Sequence, residues 1–111
     1  MPAGATIEVL AEPSRRQILD ELRKGERPVQ ALVAQLSMSQ PTVSKHLRVL
    51  RDAGLVSVRP DGQRRFYRVR PEPLIELDEW LEPYRRTWRA SLDKLERHLA
   101  RPARPSRRTP S

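Results

Sequence analysis

With 111 residues, the chain is long enough for one small domain and too short for a core plus a second, catalytic domain. Its 22 lysines and arginines outnumber its 14 aspartates and glutamates, and the net charge of +8 favours a polyanionic partner. Because the chain has no cysteine, disulfides, thiolate metal sites and cysteine nucleophiles are excluded.

The positive charge is concentrated in two parts of the chain. Residues 39–70 carry eight basic and two acidic side chains, and residues 101–111 carry four basic and no acidic ones. Such a run is often only a solvated surface, but here it coincides with the helical motif described below. We therefore expect a nucleic-acid-binding face.

The N-terminal part is predicted to supply scaffold helices. Residues 1–5 have the composition of a disordered start, and Thr6 can cap a short helix that ends near Leu10. A second helix begins at Pro13 and ends at Gly25, with apolar residues at helical spacing between them.

A third helix follows a short link at residues 26–28. Four apolar residues recur at intervals of three and four and predict one buried face: Val29, Leu32, Val33 and Leu36. The expected role of this helix is to brace the next one.

The fourth helix carries the most informative pattern. Ser39 is a good N-cap, Pro41 suits the first turn, and Gly54 can take the left-handed position after a helix that ends near Ala53. At 100° per residue, the apolar residues cluster on one side and leave a side of short polar and basic residues free. The candidate DNA contacts on and around this helix are Ser39, Gln40, Pro41, Thr42, Ser44, Lys45, His46 and Arg48.

These residue types suit the major groove of DNA. Glutamine can bond adenine in a paired fashion, serine can serve several bases, and lysine can reach guanine or phosphate. Two helices joined by a tight turn, the second of this character, predict a helix-turn-helix. The alternative is an ordinary surface helix.

A β-hairpin is predicted directly after this helix. Residues 55–59 and 64–70 alternate apolar with polar residues, and Asp61-Gly62 between them is a turn signal. Val56, Val58, Phe66 and Val69 are available for core packing. The remaining side chains suggest a wing that holds the DNA backbone or the minor groove: Arg59, Gln63, Arg64, Arg65 and Arg68.

From Pro71 to residue 100 the pattern is helical, with a long apolar stripe. Its members are Leu74, Leu77, Trp80, Leu81, Tyr84, Trp88, Leu92, Leu95 and Leu99. The stripe exceeds what so small a domain can cover, so we expect a dimerisation helix. The alternative is a helix that folds back on its own domain. Pro83 predicts either a kink or two helices meeting near Glu82.

Residues 101–111 read as a disordered basic tail after a domain that spans residues 1–100. The N-terminus lacks the features of a secretory signal, and no apolar run approaches the ~18 residues of a membrane span. We therefore expect a cytoplasmic protein with no membrane partner.

With these motifs in place, the chain resembles the ArsR/SmtB family of bacterial winged-helix repressors, in its branch without metal ligands. The resemblance is carried by LVAQLSMSQPTVSKHLRVLRDAGLV, and it is supported by LAEPSRRQIL, DGQRRFYRV and WLEPYRRTWRASLDKLERHL. It implies a mainly α fold with a small β-hairpin (α+β), and a homodimer formed through the terminal helices. It also implies a pseudo-palindromic double-stranded DNA operator, faced by Gln40, Pro41, Ser44 and Lys45.

Metal sensing is not expected, nor is any cofactor. Metal-sensing relatives carry cysteine pairs or paired Asp and His ligands, whereas this chain has only His46 and His98 without suitably spaced partners. No phosphate loop or nucleophile-base arrangement can be assembled, so an enzyme is not expected.

The leading hypothesis is a sequence-specific transcriptional regulator that represses by occupying promoters, its own included, and that responds to an unidentified small-molecule or protein inducer. Two alternatives remain open at this point. One is a weakly specific architectural DNA-binding protein, and the other is a module whose long helix binds a different protein.

Overall fold

The computed structural model describes residues 3–100, which form five helices and three strands. In chain order these are α1 (Ala3–Leu10), α2 (Pro13–Arg23), β1 (Arg27–Pro28), α3 (Val29–Leu36), α4 (Gln40–Asp52), β2 (Val56–Asp61), β3 (Arg64–Val69) and α5 (Glu72–Leu99). The predicted fold class, mainly α with a small β-hairpin in a winged helix-turn-helix arrangement, is confirmed. The predicted disordered tail at 101–111 lies outside the described residues.

The hairpin belongs to an antiparallel sheet with strand order β1-β3-β2. The segment predicted as a plain link contains strand β1, which pairs with β3: Arg27 is opposite Tyr67, and Pro28 is opposite Phe66. A strand of two residues carries no alternation that a sequence pattern could reveal. Its pairing ties the base of the hairpin to the start of α3.

The core lies between α2, α3, α4 and the start of β2. Its buried apolar residues are Ile18, Leu19, Leu22, Leu32, Val43, Leu47, Leu50, Ala53, Leu55 and Val56. Full burial of a leucine or valine side chain contributes about 1.5–3 kcal/mol. Four buried residues of this core come from α4 and the residue that follows it, so the position of α4 is strongly fixed.

The start of the chain differs from the prediction. Helix α1 begins at Ala3 rather than at Thr6, so residues 3–5 are helical and not disordered. Thr6 lies inside the helix and is fully buried, and its hydroxyl oxygen finds no hydrogen-bond partner within residues 3–100. The prediction of Thr6 as an N-cap is therefore wrong, because tertiary packing decided the start of the helix.

The hairpin is shifted slightly from its predicted form. Asp61 pairs with Arg64, so the loop consists of Gly62 and Gln63, with Gly62 at a φ of 66°. A glycine with positive φ at the first loop position is what a type II′ turn requires. Tyr67, rather than Phe66, packs against the core beside Val69.

The described residues fall into two compact units that divide between Glu79 and Trp80. The long helix α5 runs through Pro83, so the alternative of two helices meeting near Glu82 is wrong. No helix within residues 3–100 combines the length and apolar character that crossing a membrane demands.

Candidate nucleic-acid interface

A tight turn sets the direction in which α4 leaves α3. Ser37 closes α3 in the left-handed conformation, with a φ of 55°. Ser39 then caps α4: its hydroxyl accepts a hydrogen bond from the Thr42 amide at 3.2 Å and donates one to the Thr42 hydroxyl at 2.8 Å. The predicted cap is confirmed, and such a cap stabilises a helix by about 1 kcal/mol.

Helix α4 has one buried and one exposed side, as the periodicity predicted. Val43, Leu47 and Leu50 are 0–1% exposed. Seven of the eight candidate contact residues are exposed on this helix or at its cap: Ser39, Gln40, Pro41, Thr42, Ser44, Lys45 and Arg48. Their contact with DNA remains a prediction.

His46 is the exception on this helix, because its side chain is half-buried. Burial lowers the pKa of the His46 imidazole below its usual value. The positive charges of Arg15 and Lys45 lower this pKa further, while Glu12 opposes them. His46 lies where α2 approaches α4.

The position of Arg15 beside α4 was not predicted from the sequence. Its Nε atom is buried and has no hydrogen-bond partner among the described residues, and its charge acts on His46 of α4. Arg15 precedes Ile18, Leu19 and Leu22 by three, four and seven residues, so helical periodicity places it on the apolar side of α2. This spacing indicates its partial burial, but not which neighbouring helix it meets.

The wing, defined as residues 56–69, carries all five of its predicted contact residues at exposed positions: Arg59, Gln63, Arg64, Arg65 and Arg68. The pairing register puts Arg64 and Arg68 on the same face as Phe66, and Arg65 on the opposite face. Both faces of the hairpin therefore present positive charge near the loop.

Arg59, one of these residues, is held by Glu26. Its Nε and Nη2 atoms donate to the two carboxylate oxygens of Glu26, each at 2.9 Å. Its guanidinium carbon also lies 5.0 Å from the centre of the Phe66 ring. The hydrogen bonds from Arg59 hold the pKa of the Glu26 carboxyl below its usual range. No sequence pattern links two residues 33 positions apart, so this pair was not predicted.

The apolar stripe of α5 changes character along its length. Leu74 packs against the core, and Leu77 and Leu81 are half-buried. The later members are 45–57% exposed in the single chain: Trp80, Tyr84, Trp88, Leu92, Leu95 and Leu99. Trp80 and Tyr84 lie against each other with ring centres 5.0 Å apart. Their part in a dimer interface remains a prediction.

A groove of about 680 Å³ lies in the first unit, between α2, β3 and the start of α5. Its walls include Leu10, Leu19, Leu22 and Val69, with charged side chains among the lining residues. Mostly aliphatic walls make this a surface for apolar contact rather than for polar chemistry. Within residues 3–100 no three His, Asp or Glu side chains are grouped so that they could hold a metal ion.

Comparison with known proteins gives a consistent result. The sequence profile described as "Bacterial regulatory protein, arsR family" matches residues 12–58. The chain is 37% identical to the arsenical resistance operon repressor of Staphylococcus xylosus, over 68% of this chain and 73% of that protein. It is 43% identical to the HTH-type transcriptional regulator Rv2034 of Mycobacterium tuberculosis, over 63% of this chain and 65% of that protein.

Solved structures agree with these relatives. A crystal structure described as a "Possible transcriptional regulator for arsenical resistance" shares 39% identity and a TM-score of 0.65, over 86% of this chain and 96% of that one. The chain spans less than two thirds of the length of the Mycobacterium tuberculosis relative. All three proteins carry names of regulators or repressors, in agreement with the expectation of a protein that is not an enzyme.

Proposed function

The chain belongs to the ArsR family of bacterial regulatory proteins, and we propose that it is a sequence-specific DNA-binding transcriptional repressor that acts by occupying promoters. The observation that carries the proposal is the surface of α4. A capped helix held by three buried residues presents mainly polar and basic side chains to solvent. A helix of this kind can approach base edges closely.

The proposed division of labour follows from residue chemistry. Gln40, Ser44 and Lys45 read base edges, Pro41 makes apolar contact with a thymine methyl, and Arg48 reaches a phosphate. Arg64, Arg65 and Arg68 of the wing neutralise phosphates and contribute affinity more than sequence choice.

The proposed assembly is a homodimer on a pseudo-palindromic operator. Six large apolar side chains of α5 are about half exposed in the single chain, which supports their burial against a second copy. Two copies would present two α4 helices to half-sites about one helical turn apart. Repression then requires only that the bound dimer excludes polymerase.

Release from DNA belongs to the proposal as well. A small-molecule or protein inducer that binds one dimer state more tightly shifts the spacing of the two α4 helices. The chain has no cysteine and two histidines, so we propose an inducer other than a metal ion. Such a regulator would act in the cytoplasm.

The test is selection of bound fragments from the source genome, followed by salt titration on a selected and on a random duplex. A regulator keeps a preference of about 10³ or more for the selected site. A steep salt dependence with little preference would instead establish a weakly specific architectural protein. Position of the fragments relative to promoters tests repression by occupancy.

Lys45→Ala provides the residue-level test. This substitution should reduce the binding free energy for the selected duplex by roughly 1–3 kcal/mol. It should also relax the sequence preference at one base position if Lys45 reads a base. Arg86→Ala removes the same charge from α5 and is the matched control. Equal losses on selected and random duplexes for Lys45→Ala would contradict base reading.

A further inference from the structure

Glu26 and Arg59 are joined across the whole sheet. Arg59 lies on β2 and Glu26 directly precedes β1, while β3 runs between these two strands. Neighbouring strands are about 4.8 Å apart, so the pair spans roughly twice that distance. The Arg59 side chain must therefore cross β3 to reach the carboxylate.

The aromatic ring of β3 supports this crossing. Phe66 is directly opposite Arg59 in the register and opposite Pro28 on its other side. The guanidinium carbon lies 5.0 Å from the ring centre, within the range of a cation–π contact. This explains why Phe66 faces away from the core, while Tyr67 packs against it.

The geometry of the pair is specific to arginine. Two parallel N–H donors meet two carboxylate oxygens, each at 2.9 Å, which fixes the plane of the guanidinium as well as its position. Asp61 adds a longer contact, 3.7 Å from Nη1. Lysine could not hold this arrangement, because its ammonium is a point charge.

The pair connects two parts of the candidate interface. Glu26 lies two residues before Pro28, the N-cap of α3, and α3 braces α4. Arg59 lies in the wing. The pair therefore joins β2 of the hairpin to the segment that enters the helix-turn-helix.

We propose that Arg59 is a positioning residue, which together with Glu26 and Phe66 fixes the orientation of the wing relative to α3 and α4, and that it is not itself a phosphate contact. The inference rests on the proposed DNA-binding function. It goes further in assigning a negatively charged residue, Glu26, a favourable role in binding a polyanion.

The direction in which DNA affinity changes on removal of Glu26 therefore tests the proposal. Removal of a negative charge ordinarily tightens DNA binding. Glu26→Ala should instead weaken binding to the selected duplex by about threefold, the scale of a well-formed exposed ion pair. The control Glu21→Ala breaks the local pair between α2 and its C-cap residue Lys24, removes the same charge, and should not weaken binding.

The salt dependence separates positioning from contact. Arg59→Gln should weaken binding by about the same factor without changing the slope of log affinity against log salt concentration. Loss of a phosphate contact would flatten that slope by about 0.9. The double variant Glu26→Ala with Arg59→Gln should be no weaker than either single variant, because both remove one shared interaction.

Amide hydrogen exchange in the free protein supplies a readout that does not need DNA. Both single variants should increase exchange across the wing by about threefold and leave α2 and α4 unchanged. Unchanged exchange in the wing, tighter binding by Glu26→Ala, or a flattened salt slope for Arg59→Gln would each overturn the proposal. If the protein selects no duplex, the proposed function fails, and exchange alone decides whether the pair orders the wing.

Discussion

Individual side chains show how similar residues acquire different roles. Arg59 and Arg64 lie in the same hairpin, but Arg59 is paired with Glu26 whereas Arg64 extends from the end of β3 at an exposed position. His46 and Lys45 are neighbours on α4, but only Lys45 is fully on the exposed side. The partner that each side chain meets, more than its type, decides what it can bind.

The half-burial of His46 predicts a pH dependence of stability. Its pKa is lowered in the folded state, so the unfolded state binds more protons at pH values below the usual imidazole pKa of about 6.5. This part of the stability is complete above that pKa and is lost as pH falls through the folded-state value. Urea unfolding at about pH 7.5 and pH 5.5 should show a smaller loss of unfolding free energy for His46→Gln than for wild type.

His98→Gln is the control for this prediction, because His98 is exposed on α5. An equal loss of stability for wild type and His46→Gln would contradict the role given to His46.

Secondary-structure elements divide into those specified locally and those that depend on neighbours. Helix α4 has its own cap at Ser39, its own apolar stripe and a glycine with a φ of 77° after its end. Strand β1 has none of these features and exists because β3 offers an edge to pair with. The wing depends on both kinds of support. Its loop is specified locally by Gly62, whereas its orientation depends on residues distant in the sequence.

The wing as an element should determine affinity without sequence preference. Arg64→Ala combined with Arg65→Ala should weaken binding to all duplexes and flatten the salt slope by about 1.8, if each arginine neutralises one phosphate. Arg86→Ala combined with Arg89→Ala removes the same charge outside the hairpin. Unchanged affinity for random duplexes would exclude the wing as a phosphate-binding element.

At the scale of the whole molecule, the exposed stripe of α5 is the feature that a single chain leaves unexplained. Two tryptophans and a tyrosine, each 45–52% exposed, are residue types that dominate the energetics of protein interfaces. If a second copy covers them, dimerisation and DNA binding are coupled, because two half-sites are then bound together.

Trp88→Ala should therefore weaken dimerisation by roughly 2 kcal/mol or more. Analytical ultracentrifugation should show the shift to monomer, and binding to a two-half-site duplex should weaken while binding to a single half-site is retained. Arg86→Ala, on the same helix but outside the stripe, should leave both unchanged. A Trp88→Ala protein that stays dimeric at low concentration would show that the interface lies elsewhere.

Much of the fold and of α4 could be predicted from the sequence, because the signals involved are local. Spacings of three and four, a serine cap and a glycine stop act within one or two turns of helix, and they predicted α2, α3, α4 and the exposed side of α4. The excess of basic residues between positions 39 and 70 likewise predicted that α4 and the hairpin would carry a basic surface.

The tertiary structure alone decided what depends on distant parts of the chain. The burial of Thr6, the pairing of β1 and the Glu26–Arg59 pair all join segments that no local pattern connects. The physical reason is that these contacts join residues distant in the sequence, which meet only because the packed core holds their elements close together. The sequence by itself therefore determined which side of α4 is polar and basic, and the tertiary structure decided how one arginine of the wing is held.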